Sequence, residues 1–234
     1  MESLQKAVEN KSAEDVLRLT CAHFTAGRVA FASSLGAEDQ VITHILRTLF
    51  PDVGIFTIDT GCLPQASYSL MRATEKRYGF RYDVLVPDAV AVGELIDQHG
   101  PEFFYKSIEL RKACCYARKV SPLQKKLATL DAWITGLRQG QAATRAHVLP
   151  VERDDGNGLI KINPLAAWSL EDVWGFIRAH EVPYNTLHDA GYPSIGCAPC
   201  TRAVEPGADV RSGRWWWEAP EHKECGLHNR PNKG

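Results

Sequence analysis

No stretch of this sequence stays apolar over the ~20 residues that a helix needs to cross a bilayer, so no membrane association is expected. An excess of one charge is missing too: 27 Lys and Arg stand against 28 Asp and Glu, a formal net charge of −1. General nucleic-acid binders carry a basic surplus, and its absence argues against nucleic acid as a partner. The opening segment MESLQKAVENKSAEDVLRL is polar and amphipathic, without the apolar centre of a secretory signal, which predicts a cytoplasmic protein. Internal repeats and low-complexity stretches are also absent.

What is present is a chain of 234 residues, 44% of them hydrophobic, enough for one packed domain with a functional tail. Strand-like and helix-like segments alternate. RVAFASSL reads as a buried strand, and AEDQVITHILRTLF follows with Val41, Ile42, Ile45, Leu46 and Leu49 at helical spacing. VGIFTIDT is a second strand, Pro64 to Tyr78 a second helix, YDVLVP a third strand, and Val90 to Gln98 a further helix. Trp133–Arg138 and LIKINPL read as later strands, and Ser169 with Asp172 caps another helix. The alternation predicts an α/β fold, a mostly parallel sheet with helices on both faces. Residues 1–205 are expected to form this domain, and 206–234 a Gly-, Pro-, Arg- and Trp-rich tail.

Two strand ends are candidate nucleotide sites. SSLGAED offers Ser33, Ser34, Gly36 and Asp39 at a helix N-terminus, where unpaired N–H groups and the helix dipole favour an anion. A plain capped turn is the alternative. Asp59, Thr60 and Gly61 end the next strand, where ribose and base could pack. SSLGAED resembles a degraded form of the SGGxDS loop of the ATP pyrophosphatases, which implies their adenine nucleotide alpha hydrolase-like fold. Gly36 and Asp39 match, while Leu35, Ala37 and Gln40 do not, which suggests nucleotide binding without pyrophosphate chemistry.

The seven cysteines need an explanation other than disulfides in a reducing compartment. Cys114 and Cys115 are adjacent within a segment that reads as one helix, KSIELRKACCYARKVSPLQKKLATL, and Cys197 and Cys200 form CAPC. Adjacent helical residues point about 100° apart and converge poorly on one ion, whereas separate irons can each take one. The set therefore favours a 4Fe–4S cluster over zinc, and CAPC alone also reads as a redox couple. Lys119, four residues beyond Cys115, shares its helical face and could steady such a cluster or simply be solvated. In the tail, Arg211 and Arg214 suit phosphate or sulfate. Cys225 lies among Lys223, Glu224 and His228, as a nucleophile or an incidental thiol.

Together SSLGAED, IDTG, KACCYARK, WITGLRQGQAATR, GYPSIGCAPCTR, GRWWWE and KECGLH resemble the assimilatory adenylyl-sulfate (APS) reductases, over nearly the whole chain from about Ala30. The resemblance implies a 4Fe–4S cluster on Cys114, Cys115, Cys197 and Cys200, with a structural and electrostatic role. It implies that Cys225 attacks APS, and that Arg138, Arg145, Arg211 and Arg214 hold the phosphosulfate, with Lys119 between cluster and substrate. It also implies a thioredoxin or glutaredoxin-like reductant, release of sulfite and AMP, and a place in cysteine synthesis. A homo-oligomer stays open. The related 3′-phosphoadenylyl-sulfate (PAPS) reductases generally lack both cysteine pairs. A tRNA-thiolating enzyme would need an intact pyrophosphate loop, and a zinc-bound module would leave Cys225 without a role. One departure stands out: the family's DTGR reads DTGC here, so Cys62 is either a packing residue or an extra thiol.

Overall fold

The computed structural model describes residues 2–25, 27–141, 147–219 and 223. Arg145 and Cys225 lie outside the described residues. In chain order the elements are α1 (Glu2–Val8), α2 (Ala13–Cys21), β1 (Val29–Ser33), α3 (Ala37–Leu49), β2 (Gly54–Ile58), α4 (Gln65–Tyr78) and β3 (Asp83–Leu85). They continue with α5 (Ala89–His99), α6 (Ile108–Cys115), α7 (Ser121–Leu127), β4 (Ala132–Ile134), β5 (Val151–Asp154), β6 (Leu159–Ile162) and α8 (Leu170–Ala179). The chain divides into two compact units, the first comprising 1–57, 67–83 and 127–185, the second 58–66, 84–126 and 186–234.

The sheet runs in the order β3-β2-β1-β4-β6-β5. β1 is parallel to both β2 and β4, β4 is parallel to β6, and β5 runs antiparallel to β6. Phe31 pairs with Ile55 on one side and Ile134 on the other, so the central strands meet through apolar residues. This is the mostly parallel α/β sheet that the alternation predicts. Strand order reverses at β1, because the chain builds β2 and β3 on one side and returns with β4 on the other. The carboxyl ends of β1 and β4 therefore flank the switch point, where open α/β sheets bind ligands.

The first unit's core takes the buried stripe of α3, Val41, Ile42, Ile45 and Leu46, together with Phe31 of β1 and Val173 and Ile177 of α8. Each such side chain contributes roughly 1.5–3 kcal/mol of burial. The residues before Ala30 extend this core, with Leu4, Val8, Val16 and Leu17 buried and Gln5 bonded to the Val151 carbonyl at 3.1 Å.

Three local expectations change. The strand expected at Trp133–Arg138 stops at Ile134, and two residues beyond it Gly136 lies so close to the side chain of Asp39 that a Cβ would collide with it. Charged VERD forms the edge strand β5, whose Asp154 accepts from the Trp133 indole at 2.9 Å; its lack of apolar alternation hid it. The single helix expected around Cys114 is α6, a π-helical turn at Tyr116–Val120, then α7. Pro122 lacks the N–H that an unbroken helix would donate to the Arg118 carbonyl, and the widened turn sits just before it. No described helix is long and apolar enough to cross a membrane.

Ile42→Ala is expected to lower the unfolding free energy by about 2–5 kcal/mol, read as a fall in the urea midpoint with an unchanged slope.

Candidate functional site

In the first unit, the β1–α3 turn carries Ser33, Ser34, Gly36 and Asp39. Asp39 is buried, and its Oδ2 accepts from both the Ser34 N–H and the Ser34 hydroxyl at 2.6 Å. Leu35 adopts φ 63°, and Gly36 caps α3 through its backbone alone. A Cβ at Gly136 would collide with Asp39 Oδ1, so glycine there lets β4's end lie against the turn. Arg138 comes from the same β4 exit and is already paired. Its Nε and Nη2 meet Glu38 Oε1 at 2.9 and 2.8 Å, with the guanidinium almost fully buried. The turn is thus a structured loop whose acidic first-turn residues are tied to Ser34 and Arg138.

In the second unit, Cys114, Cys115, Cys197 and Cys200 line one cavity of about 340 Å³ (its open mouth included) together with Cys62, Arg111, Arg118, Lys119, Phe104 and Pro199. All four cysteines expected as ligands come together. Among the described residues, no group of three or more His, Cys, Asp or Glu side chains is arranged to hold a single metal ion.

The Asp59–Gly61 turn sits in this unit and is bound to the cysteines. The Thr60 hydroxyl meets Cys197 Sγ at 3.3 Å, and Arg118 donates to the Thr60 carbonyl at 2.8 Å. Burial opposes ionisation of Cys197, yet Lys119, the Thr60 hydroxyl and Arg214 outweigh it and hold the thiol below its ordinary value. Cys200 is pushed up to about 12 by burial and by its neighbours Cys197 and Cys115. Burial likewise raises Cys114, against the pull of Arg118. Cys21 lies apart in the first unit, where burial pushes it up to about 11.

The tail closes onto the CAPC turn. Thr201 bridges to Arg214, Arg202 N–H donates to the Gly213 carbonyl at 3.0 Å, and Trp215 N–H donates to the Cys200 carbonyl at 3.2 Å. Trp215 is buried among Cys115, Cys197 and Cys200. The guanidinium carbons of Arg111 and Arg214 each lie 4.8 Å from its ring centroid, and that of Arg211 lies at 5.9 Å. Arg111 and Glu218 form a buried two-pronged pair at 2.9 and 2.6 Å. Arg211 donates to the Lys223 carbonyl at 2.9 Å, which ties position 223 back to the arginine turn.

Sequence reasoning missed Arg111 and Arg118. Only Lys119 was singled out beside the cysteines, although Arg118 stands four residues after Cys114 and Arg111 four before Cys115, a helical spacing that could have found both; all three line the cavity. The pairing of Glu218 with Arg111 spans 107 positions, and no local signal carries it.

A mostly parallel α/β sheet with a switch point at β1 and β4 is an open, doubly covered α/β fold shared with solved structures. The same fold occurs in FMN adenylyltransferase of Candida glabrata with FAD and pyrophosphate, at TM-score 0.57 and 17% identity over 99% of this chain and 76% of that one. A phosphate complex of PAPS reductase from Candida auris is nearer, at TM-score 0.73 and 29% identity, covering 87% of this chain and 95% of that chain. The chain belongs to the phosphoadenosine phosphosulfate reductase family, whose domain matches residues 28–203. Its relatives include adenosine 5′-phosphosulfate reductase of Allochromatium vinosum, 54% identical over 86% of this chain and 79% of that protein. The enzyme of the same name from Sinorhizobium fredii strain USDA 257 is 43% identical over 97% of this chain and 92% of that protein.

Glu218→Ala leaves the Arg111 guanidinium buried without its carboxylate and is expected to cost about 3–5 kcal/mol in urea unfolding, most of it recovered in Arg111→Met/Glu218→Leu. Gly136→Ala displaces Asp39 and is expected to cost about 1–3 kcal/mol by the same measurement.

Proposed function

We propose that this chain reduces adenylyl sulfate to sulfite and AMP, with Cys225 as nucleophile and a 4Fe–4S cluster held by Cys114, Cys115, Cys197 and Cys200. The observation that carries the reading is the four-thiol cavity, walled by cations and covered by the tail segment that leads toward Cys225. The adenosine 5′-phosphosulfate reductases of Allochromatium vinosum and Burkholderia cepacia, 54% and 48% identical, support the substrate. Four thiols spread around a cavity suit separate irons better than one tetrahedral ion. When bound, the cluster supplies a cross-link between α6 and the CAPC turn and a fixed charge beside Lys119. Its thiols give up their protons on binding.

The chain's own residues carry the chemistry. Ser33, Ser34, Gly36 and Asp39 shape the nucleotide-binding turn, and Asp59, Thr60 and Gly61 serve the nucleotide from the second strand end. Arg138, Arg145, Arg211 and Arg214 take the charge of the phosphosulfate, Arg138 from its Glu38 pair, and Lys119 adds a further cation. The Cys225 thiolate attacks the sulfate sulfur in line. The new S–S bond forms as the S–O bond to AMP breaks, and AMP leaves with the electron pair. A thiolate of thioredoxin or a glutaredoxin-like protein then attacks Cys225 Sγ and expels sulfite. The reductant's second thiol resolves the mixed disulfide and restores Cys225. The reaction belongs to cytoplasmic sulfate assimilation and feeds cysteine synthesis, with residues 206–234 acting as the catalytic tail of the 1–205 domain.

Incubation with sulfur-labelled APS without reductant, beside Cys225→Ser, tests the reading. Label is expected on the native chain alone, released as sulfite by reduced thioredoxin, with turnover lowered at least ~10³-fold in the variant. An iron-loaded native chain that takes no label from APS overturns the substrate assignment, and PAPS is the comparison to run beside it.

A further inference from the structure

The second unit gathers five cysteines around one cavity, one more than the four thiolates a 4Fe–4S cluster takes. Cys62 is the additional one. It packs against the buried group of Cys115, Cys197 and Cys200. Its backbone is held on both sides: its N–H donates to the Thr60 hydroxyl at 3.2 Å, and its carbonyl accepts from Ala198 N–H at 2.7 Å. The same Thr60 hydroxyl contacts Cys197 Sγ at 3.3 Å, so Cys62 and Cys197 are fixed to one shared anchor. Gly61, at φ +70°, supplies the left-handed turn that brings Cys62 back toward the CAPC segment. The other cysteines of the cavity are carried differently. Cys114 and Cys115 end α6, and Cys200 closes the short helical turn beyond Pro199.

We propose that Cys62 is a fifth thiolate donor of the cluster site, placed to take the iron that Cys197 holds when Cys197 is lost. The inference rests on the reading of the four cysteines as cluster ligands. The exchange needs a side-chain rotation about a backbone already fixed. The Cys62 thiol gives its proton to solvent as the Fe–S bond forms, with no change of oxidation state. Among the described residues, Cys200 has no such neighbour on the Thr60 anchor, so its loss is not made good.

The test compares iron and sulfide per chain, and the visible iron–sulfur absorption, in the anaerobically purified full chain and its variants. Native protein and Cys62→Ser are expected to hold the full cluster. Cys197→Ala should keep more than about half of the iron, while Cys62→Ser/Cys197→Ala and Cys200→Ala should each lose it about tenfold or more. Far-UV circular dichroism reports folding, and Cys197→Ser is read in parallel as the variant of closer size. Iron loss in both Cys197 variants overturns the proposal, as does iron loss in Cys62→Ser alone, which would make Cys62 a primary ligand. A native chain without iron overturns the cluster reading itself, and this inference with it.

Discussion

A guanidinium taken out of water must be paired, and in the second unit much of the order around the thiols follows from how Arg111 meets that requirement. Its partner Glu218 returns from 107 residues further along and grips it with two bonds, both groups nearly free of solvent. Because Arg111 stands on α6, one turn before Cys115, the pair fastens the tail to the helix that carries the tandem cysteines. Trp215, three residues before Glu218, is then held against the thiols, and its backbone N–H donates to the Cys200 carbonyl. The buried cluster around the thiols in this unit is made of cysteines and Trp215, where the first unit's core is mostly aliphatic.

The first unit depends on a different constraint, the close approach of β4's exit to the β1–α3 turn. Only a residue without a side chain fits at Gly136, and Asp39 uses the space to bond Ser34. Glu38 and Arg138 then neutralise each other beside it. The result is a switch-point loop whose charges are already balanced, unlike a loop built to grip a triphosphate with bare N–H groups.

Much of this was legible from local pattern. The β1 run VAFAS and the α3 stripe are short-range signals, because burial on one or both faces of an element repeats at that element's own period. The paired cysteines were readable for the same reason, since few structural roles ask for CC and CxxC in one chain. VERD failed as a strand signal because an edge strand need not alternate. The Asp59–Gly61 turn was expected to serve a nucleotide, and its hydrogen bonds tie it to the cysteine cavity.

Residue order by itself determined the α/β class, the capped helices and the pairing of the cysteines as CC and CxxC, since each depends on neighbours within a turn or a strand. Tertiary structure alone decided that Cys62 faces the same cavity as the four cysteines, that Arg138 is held by Glu38, and that Glu218 buries Arg111. Those outcomes join positions that lie from tens to more than a hundred residues apart. A charge buried by folding selects its partner by the geometry of the packed chain, which no local periodicity encodes.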